Sequence, residues 1–441
     1  MTHDAPAMRL IERPFVNEDP VGLWPFHLHG LIRATIRTTQ DNTDDRWSPR
    51  GWTRAAERAF EALGEQWTTS PAPNRLLLIG CLRQGLRLAR DFRLELGWLA
   101  GAAWAYISDS IWEPLAPPAA GHAPATTGLE TAADALVETL SALSRRQHEH
   151  RERTVDRLTQ VIDTGLLPTD LHEMALYYQA KAQRDLGRTD DSRHGMQQVA
   201  NGGGRLAPAA PRGLAHLARL AGDFPTALAT ARTLDWAGRH HRVEGDVWWV
   251  QSEMERAAAA YEAARGEAEE HGVAGERATC QAQRAFVLVF TDPALADDEL
   301  DLAQQLLSGL DLRATRLTSQ IASLLRDAGT TGDIEDRASI LRTETSLAGL
   351  TSAAATLELA MAFHHAVRGA HSDLLAAITR LRELARNGEY AYYIDLAHFM
   401  GSLGLPAQPR SQPQWINGEQ TTRQQWHRLV MARRHHLGAA P

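Results

Sequence analysis

From residue 128 onward the chain reads as helix, turn, helix, with one short pattern of small residues returning at about the length of a helical hairpin. In Leu214-Ala215-x-x-Ala218-x-x-x-Gly222-Asp223-Phe224-x-x-Ala227-x-x-x-Ala231-x-x-Leu234 a small residue at 215 lets two helices approach closely. Gly222 supplies the tight turn, and Ala227 opens the packing face of the second helix, with 231 and 234 four and seven residues on. Gly245-x-x-Trp248 with Ala257-x-x-x-Tyr261-x-x-Ala264 repeats those offsets, and Ser252 stands at the turn. Ala180, Leu186-Gly187, Ser192, Met196 and Val199 form a third copy. A fourth runs through Ala362, His365, Gly369, Leu374, Ile378 and Leu381, with Leu374 in place of the small residue. The turns lie 35 residues apart from Gly187 to Gly222 and 30 from Gly222 to Ser252. A unit of that size cannot bury its apolar face alone and must stack on its neighbours.

The rest of the sequence agrees with helix. Ala, Leu, Arg, Glu and Gln dominate, and the best β-branched run, Phe286-Val-Leu-Val-Phe290, is five residues inside a helical pattern, so no sheet is expected. Residues 1–45 are irregular, with one short helix expected over His27–Thr38. Residues 46–113 read as two or three Trp-rich helices (Trp47, Trp52, Trp67, Trp98, Trp104, Trp112), making 1–113 an N-terminal helical module. Residues 114–127, rich in Pro, Ala and Gly, read as a linker. Paired helices fill 128–405, and a C-terminal segment, 406–441, ends in a basic helix over 420–437.

The offsets in 171–265 and 355–385 resemble the tetratricopeptide repeat; over 128–170 and 266–354 only the periodicity agrees. That resemblance implies an all-α fold, a right-handed α-α superhelix whose first helices line a concave groove used for peptide capture. A generic α-solenoid without the motif would leave the same groove. The N-terminal Asp19-Pro-Val-Gly-Leu-Trp-Pro-Phe-His-Leu-His29-Gly-Leu-Ile-Arg33, followed by Trp47-Ser-Pro-Arg-Gly-Trp52, resembles the junction in STAND-type regulatory ATPases where a winged-helix module meets the helical sensor. On that resemblance the chain is a sensor half without its nucleotide-binding half.

Several chemistries are disfavoured. The net charge is −8, against a dedicated nucleic-acid binder. Lys181 is the only lysine and sits in a helical, glycine-free segment, so there is no P-loop. Asn201-Gly202-Gly203-Gly204 follows a helix and reads as its terminator. The histidine clusters (His27 and His29, His148 and His150, His240-His241, His364-His365, His435-His436) lack a zinc spacing, and neighbours on one helix point about 100° apart. No metal and no cofactor are expected. No nucleophile elbow occurs, and Cys280 reads as core. Arg423, Arg428, Arg433 and Arg434 with His427, His435 and His436 read as a solvated capping helix. No stretch is long enough for a membrane span, the N-terminus has no apolar core for a secretion signal, and two distant cysteines, Cys81 and Cys280, suggest free thiols in a reducing, cytoplasmic setting.

The informative positions lie on the first helix of each pair. Residues three before, one after and four after the small core position share one face. Around Ala180 these are Tyr177, Lys181 and Arg184; around Ala215 they are Arg212, His216 and Arg219; around Gly245 they are Arg242, Asp246 and Trp249. The stripe is mainly cationic on an acidic chain. The expected function is therefore a non-catalytic scaffold or sensor that binds a protein or peptide with an acidic segment or terminal carboxylate. The alternatives are a DNA-binding or STAND-linked transcriptional regulator, and a helical enzyme using the His-rich N-terminus, for which no complete catalytic set can be assembled.

Overall fold

The structure, a computed structural model, describes residues 16–18, 26–28, 49–69, 75–107, 128–387, 389–403 and 412–438. The expected linker at 114–127 lies outside the described residues. Nineteen α-helices account for nearly all the secondary structure described, and each packs chiefly on its neighbours in sequence, giving an all-α, solenoid-like fold. The expectation of no sheet needs one correction. Strand β1 (Val16–Glu18) pairs antiparallel with β2 (Phe26–Leu28), Val16 opposite Leu28 and Glu18 opposite Phe26. His27 and Leu28, expected to open a helix, are in this ribbon; three alternating residues are too few for a period of two to stand out.

The chain divides into two compact units, one of 1–106 with 118–137 and one of 107–117 with 138–441. The first holds the ribbon, α1 (Pro49–Thr69), α2 (Arg75–Phe92) and most of α3 (Trp98–Ile107). Trp98 organises its core. The indole N–H donates to Phe60 O at 3.0 Å and the ring lies 5.3 Å from that of Phe60. Gly64 and Gly85 make room for it: a Cβ on Gly64 would stand 2.5 Å from the indole, and one on Gly85 2.7 Å. Leu82, Leu86, Leu99 and Ala102 close the apolar layer.

The boundary between the units falls within α4 (Ala132–Arg145). The second unit continues with α5 (Arg151–Thr164) and then six helical hairpins. These are α6 (Thr169–Asp185) with α7 (Thr189–Gly202), α8 (Ala210–Leu220) with α9 (Phe224–Arg232), and α10 (His240–Trp248) with α11 (Met254–Glu270). The series goes on through α12 (Ala274–Leu288) with α13 (Pro293–Leu307), α14 (Arg313–Arg326) with α15 (Ile334–Ala348), and α16 (Thr351–Arg368) with α17 (His371–Leu384). The turn residues read from the sequence are where the backbone turns left-handed: φ is +79° at Gly187, +84° at Gly222, +60° at Ser252 and +71° at Gly369. Thr291–Asp297, which reads as an insertion, is a turn and helix start, with the Asp292 carboxylate accepting from Leu295 N–H.

Two substitutions test this register. Ala227 is fully buried, so Ala227→Leu is expected to overpack the α8–α9 hairpin and cost about 1–3 kcal/mol in urea unfolding. Gly222→Val forces a β-branched residue to positive φ and sets its Cβ 3.1 Å from Pro413 Cα, so it too should destabilise. Wild-type midpoints for both would mean that the repeats are out of register.

The last two helices depart from expectation. All ten residues of α18 (Ala391–Met400) are buried, Asp395 and His398 with them, because apolar side chains stand on all sides of the helix. It lies among the C-terminal ends of first helices. Tyr390 N–H donates to Leu220 O at 3.1 Å, and Phe224 packs on Tyr392 at 5.1 Å. Residues 412–418 and α19 (Glu419–His436) run across the hairpin turns. Gln414 N–H reaches Gly222 O at 2.9 Å, and the Trp426 indole N–H reaches Val250 O at 3.1 Å. Arg433 donates to Arg326 O at 2.9 Å and to Val289 O, and Arg434 to Ala366 O. The solvated cap is therefore corrected: Arg433 is 5% exposed. Helix C-termini leave carbonyls without intrahelical partners, and guanidinium groups satisfy them and complement the helix dipoles.

Candidate functional site

The first helices of consecutive hairpins, α6, α8, α10, α12 and α14, ring a partly open cavity of about 290 Å³ in the second unit, to which α5 and α16 also contribute. The ring closes where the segment after α4 meets the start of α14. Gln147 Oε1 accepts from Arg313 N–H at 3.2 Å, and the His148 imidazole lies 2.8 Å from the Asp311 carboxylate.

Eight of the nine residues picked out in sequence line this one cavity. Tyr177, Lys181 and Arg184 come from α6; Arg212, His216 and Arg219 from α8; Arg242 and Asp246 from α10. Helical spacing places them there, because i, i+4 and i+7 repeat one face and successive first helices turn that face inward. Trp249 is elsewhere. It is 5% exposed in an aromatic cluster, 5.3 Å from Phe286 and 5.8 Å from Tyr393, because the C-terminal end of α10 is covered by α18. The groove is accordingly not open along its length, and its lower end is filled by the chain's own α18.

Part of the cavity's charge is balanced. Arg151 and Arg184 hold Asp185 at 3.1 and 3.2 Å, and Arg242 holds Glu276 at 2.5 Å. Burial alone would raise both acids, but these guanidinium groups outweigh it and hold each carboxyl below its usual value. Lys181, Arg212 and Arg219 have no carboxylate within ion-pair distance among the described residues. The Lys181 ammonium lies 5.5 and 5.1 Å from the ring centres of Tyr177 and Tyr178. Arg212 donates to Tyr177 Oη at 3.0 Å and Arg219 to Tyr392 Oη at 3.1 Å, while Arg219 Nε is buried with no partner.

The titration behaviour follows from this crowding. Burial and the positive charges of Arg212, Arg184 and Arg146 push the Lys181 ammonium down to about 8, against the opposing pull of Tyr177. Burial alone would raise the Tyr177 phenol, but Arg212, Lys181 and Arg184 bring it down to about 8. The two titrate as a coupled pair. Burial, then Arg184, Arg242, Arg219 and Arg212, holds His216 well below its usual value, so it is neutral at pH 7, 3.4 Å from Asp246. The walls thus present hydrogen-bond donors and positive charge.

Two groups could present metal ligands, and one corrects the geometry expected of adjacent histidines. At the first turn of α10 the rings of His240 and His241 are 3.8 Å apart, and both approach Glu267 Oε1 at 3.8 Å. With Glu267 they offer three donor atoms, where a closed structural zinc site takes four. The second group is Glu335, His364 and His365. His364 Nδ1 accepts from Gly329 N–H at 3.1 Å, which leaves the ring proton on Nε2 and no lone pair for a metal there.

Sequence reading missed Arg146, Arg151, Glu276 and Tyr390, all on the cavity wall. Arg151 lay in a run, Arg145 to Arg153, that reads as a solvated face, yet it is 5% exposed. Its signal was the pairing with Asp185, 34 residues away and invisible to local periodicity. No protein-family model matches this sequence, and no curated protein matches it either.

Proposed function

We propose that the second unit is a non-catalytic binding module, the sensor or scaffold part of a cytoplasmic regulator, which takes the anionic group of a ligand into this cavity. On the tetratricopeptide likeness that group is the carboxylate of an acidic segment or chain terminus in a protein or peptide partner. The observation that carries the reading is that Lys181, Arg212 and Arg219 line one cavity and, among the described residues, have no carboxylate within ion-pair distance, Asp246 and Glu276 acting on Arg219 and Arg212 only from farther off. Excess positive charge gathered in a half-buried site is costly, and proteins keep it where a ligand supplies the counter-charge. The two cysteines are buried free thiols, in keeping with a reducing compartment, and no helix among the described residues is long and apolar enough to cross a membrane.

Thermal unfolding of the full chain with a tetraglutamate peptide, and separately with citrate, tests the reading. At least one should raise the midpoint at low salt, lose that effect as salt screens the attraction, and do nothing in Arg212→Gln. A midpoint indifferent to every anion tried would sink it. The β1–β2 ribbon gives a second reading one foothold: a ribbon lies where the sequence resembles the end of a winged-helix module. A DNA-binding role would then give gel-shift affinities that fall steeply with salt.

A further inference from the structure

The cavity carries more positive charge than one carboxylate can balance. Seven guanidinium or ammonium groups line it against three carboxylates, an excess of four. Three of the cations, Arg151, Arg184 and Arg242, are held by Asp185 and Glu276. Lys181, Arg212 and Arg219 are not, and they approach from two helices, α6 and α8. A volume near 290 Å³ is at the small end of ligand sites, enough for one compact anionic group. Its donors are a point charge and two planar forks at different heights, a set that meets a tetrahedral group with several oxygens better than one planar carboxylate. Tyr177, Tyr178 and Tyr390 supply aromatic surface beside them.

We propose that this cavity binds a small phosphorylated molecule, a phosphate ester or diphosphate carrying at least two negative charges, with Lys181, Arg212 and Arg219 as its principal ligands. The proposal rests on the reading of the second unit as an anion-binding module and names the class of anion. It gives Lys181 a role beyond its contacts with the Tyr177 and Tyr178 rings. An ammonium among guanidinium groups is repelled by them, and a bound anion relieves that repulsion. A bound dianion restores the Lys181 proton that burial, with the neighbouring cations, drives off near pH 8. Binding at that pH therefore takes up protons.

Calorimetry on the full chain with inorganic pyrophosphate tests this, with inorganic phosphate, citrate and the tetraglutamate peptide as parallel titrations. One pyrophosphate per chain is expected, bound at least about tenfold more tightly than citrate. At pH 8 the heat should vary with the ionisation enthalpy of the buffer in the sense of proton uptake. Lys181→Met should reduce that uptake, leaving only the share of Tyr177, weaken pyrophosphate by about tenfold or more, and raise the melting point of the empty protein. A purely structural lysine would give the opposite, a lower melting point with pyrophosphate binding unchanged, and that result overturns the proposal. If citrate or the peptide binds through Arg212 and pyrophosphate does not, the phosphate class is wrong and the anion-binding module stands. If no anion binds, both fall.

Discussion

Trp426→Ala is expected to cost about 3–5 kcal/mol in equilibrium urea unfolding, the largest single loss from any side chain of the C-terminal helix. The indole is fully buried, its N–H is satisfied by Val250 O, and its ring meets Phe290 at 5.3 Å and Trp249 at 6.5 Å. Alanine leaves a cavity between the turns of two hairpins and strips a helix-terminal carbonyl of its donor. A solvated cap would behave otherwise, since surface substitutions usually change stability within about 0.5 kcal/mol. The size of the loss therefore decides whether α19 is an appendage or the element that clamps the hairpins.

Glu276→Gln should be nearly as damaging, by about 3–5 kcal/mol at pH 7, because it leaves Arg242 and Arg239 without the carboxylate that holds them. The carboxyl is held below its usual value, so its contribution is complete above about pH 4.5 and disappears as pH falls through the depressed range. The stability gap between Glu276→Gln and wild type should thus be full at neutral pH and close on acidification. The same substitution raises the positive excess of the cavity from four to five. Stability falls while anion affinity rises, and a merely disordered cavity could not give both signs. Guanidinium denaturation at several pH values and a pyrophosphate titration of the same variant would measure the two.

What could be read from the sequence was local. Gly187, Gly222 and Gly369 announce turns because a residue with positive φ at the end of a helix is most easily glycine. Lys181, Arg212 and Arg242 could be placed on one inner surface because helical periodicity is fixed within a hairpin and consecutive hairpins repeat it. What escaped was set by contacts far apart in the chain. Arg433 looks like any exposed arginine, and only the carbonyls of Val289 and Arg326 explain its burial. Tyr392 and Tyr393 sit in a helix with apolar side chains on all sides, a sign of burial that does not say against what. Trp249 was misplaced for the same reason: it was expected in the groove, but it is covered by residues about 140 positions later, Tyr393 among them.

A crystal structure of the full chain soaked in tungstate, a heavy tetrahedral dianion, would test the anion site most directly. The expected result is an anomalous peak inside the cavity within hydrogen-bonding distance of Lys181 and Arg212, absent from crystals of Lys181→Met. Peaks confined to the outer surface, with the cavity empty or closed by a new ion pair to Lys181, would contradict it.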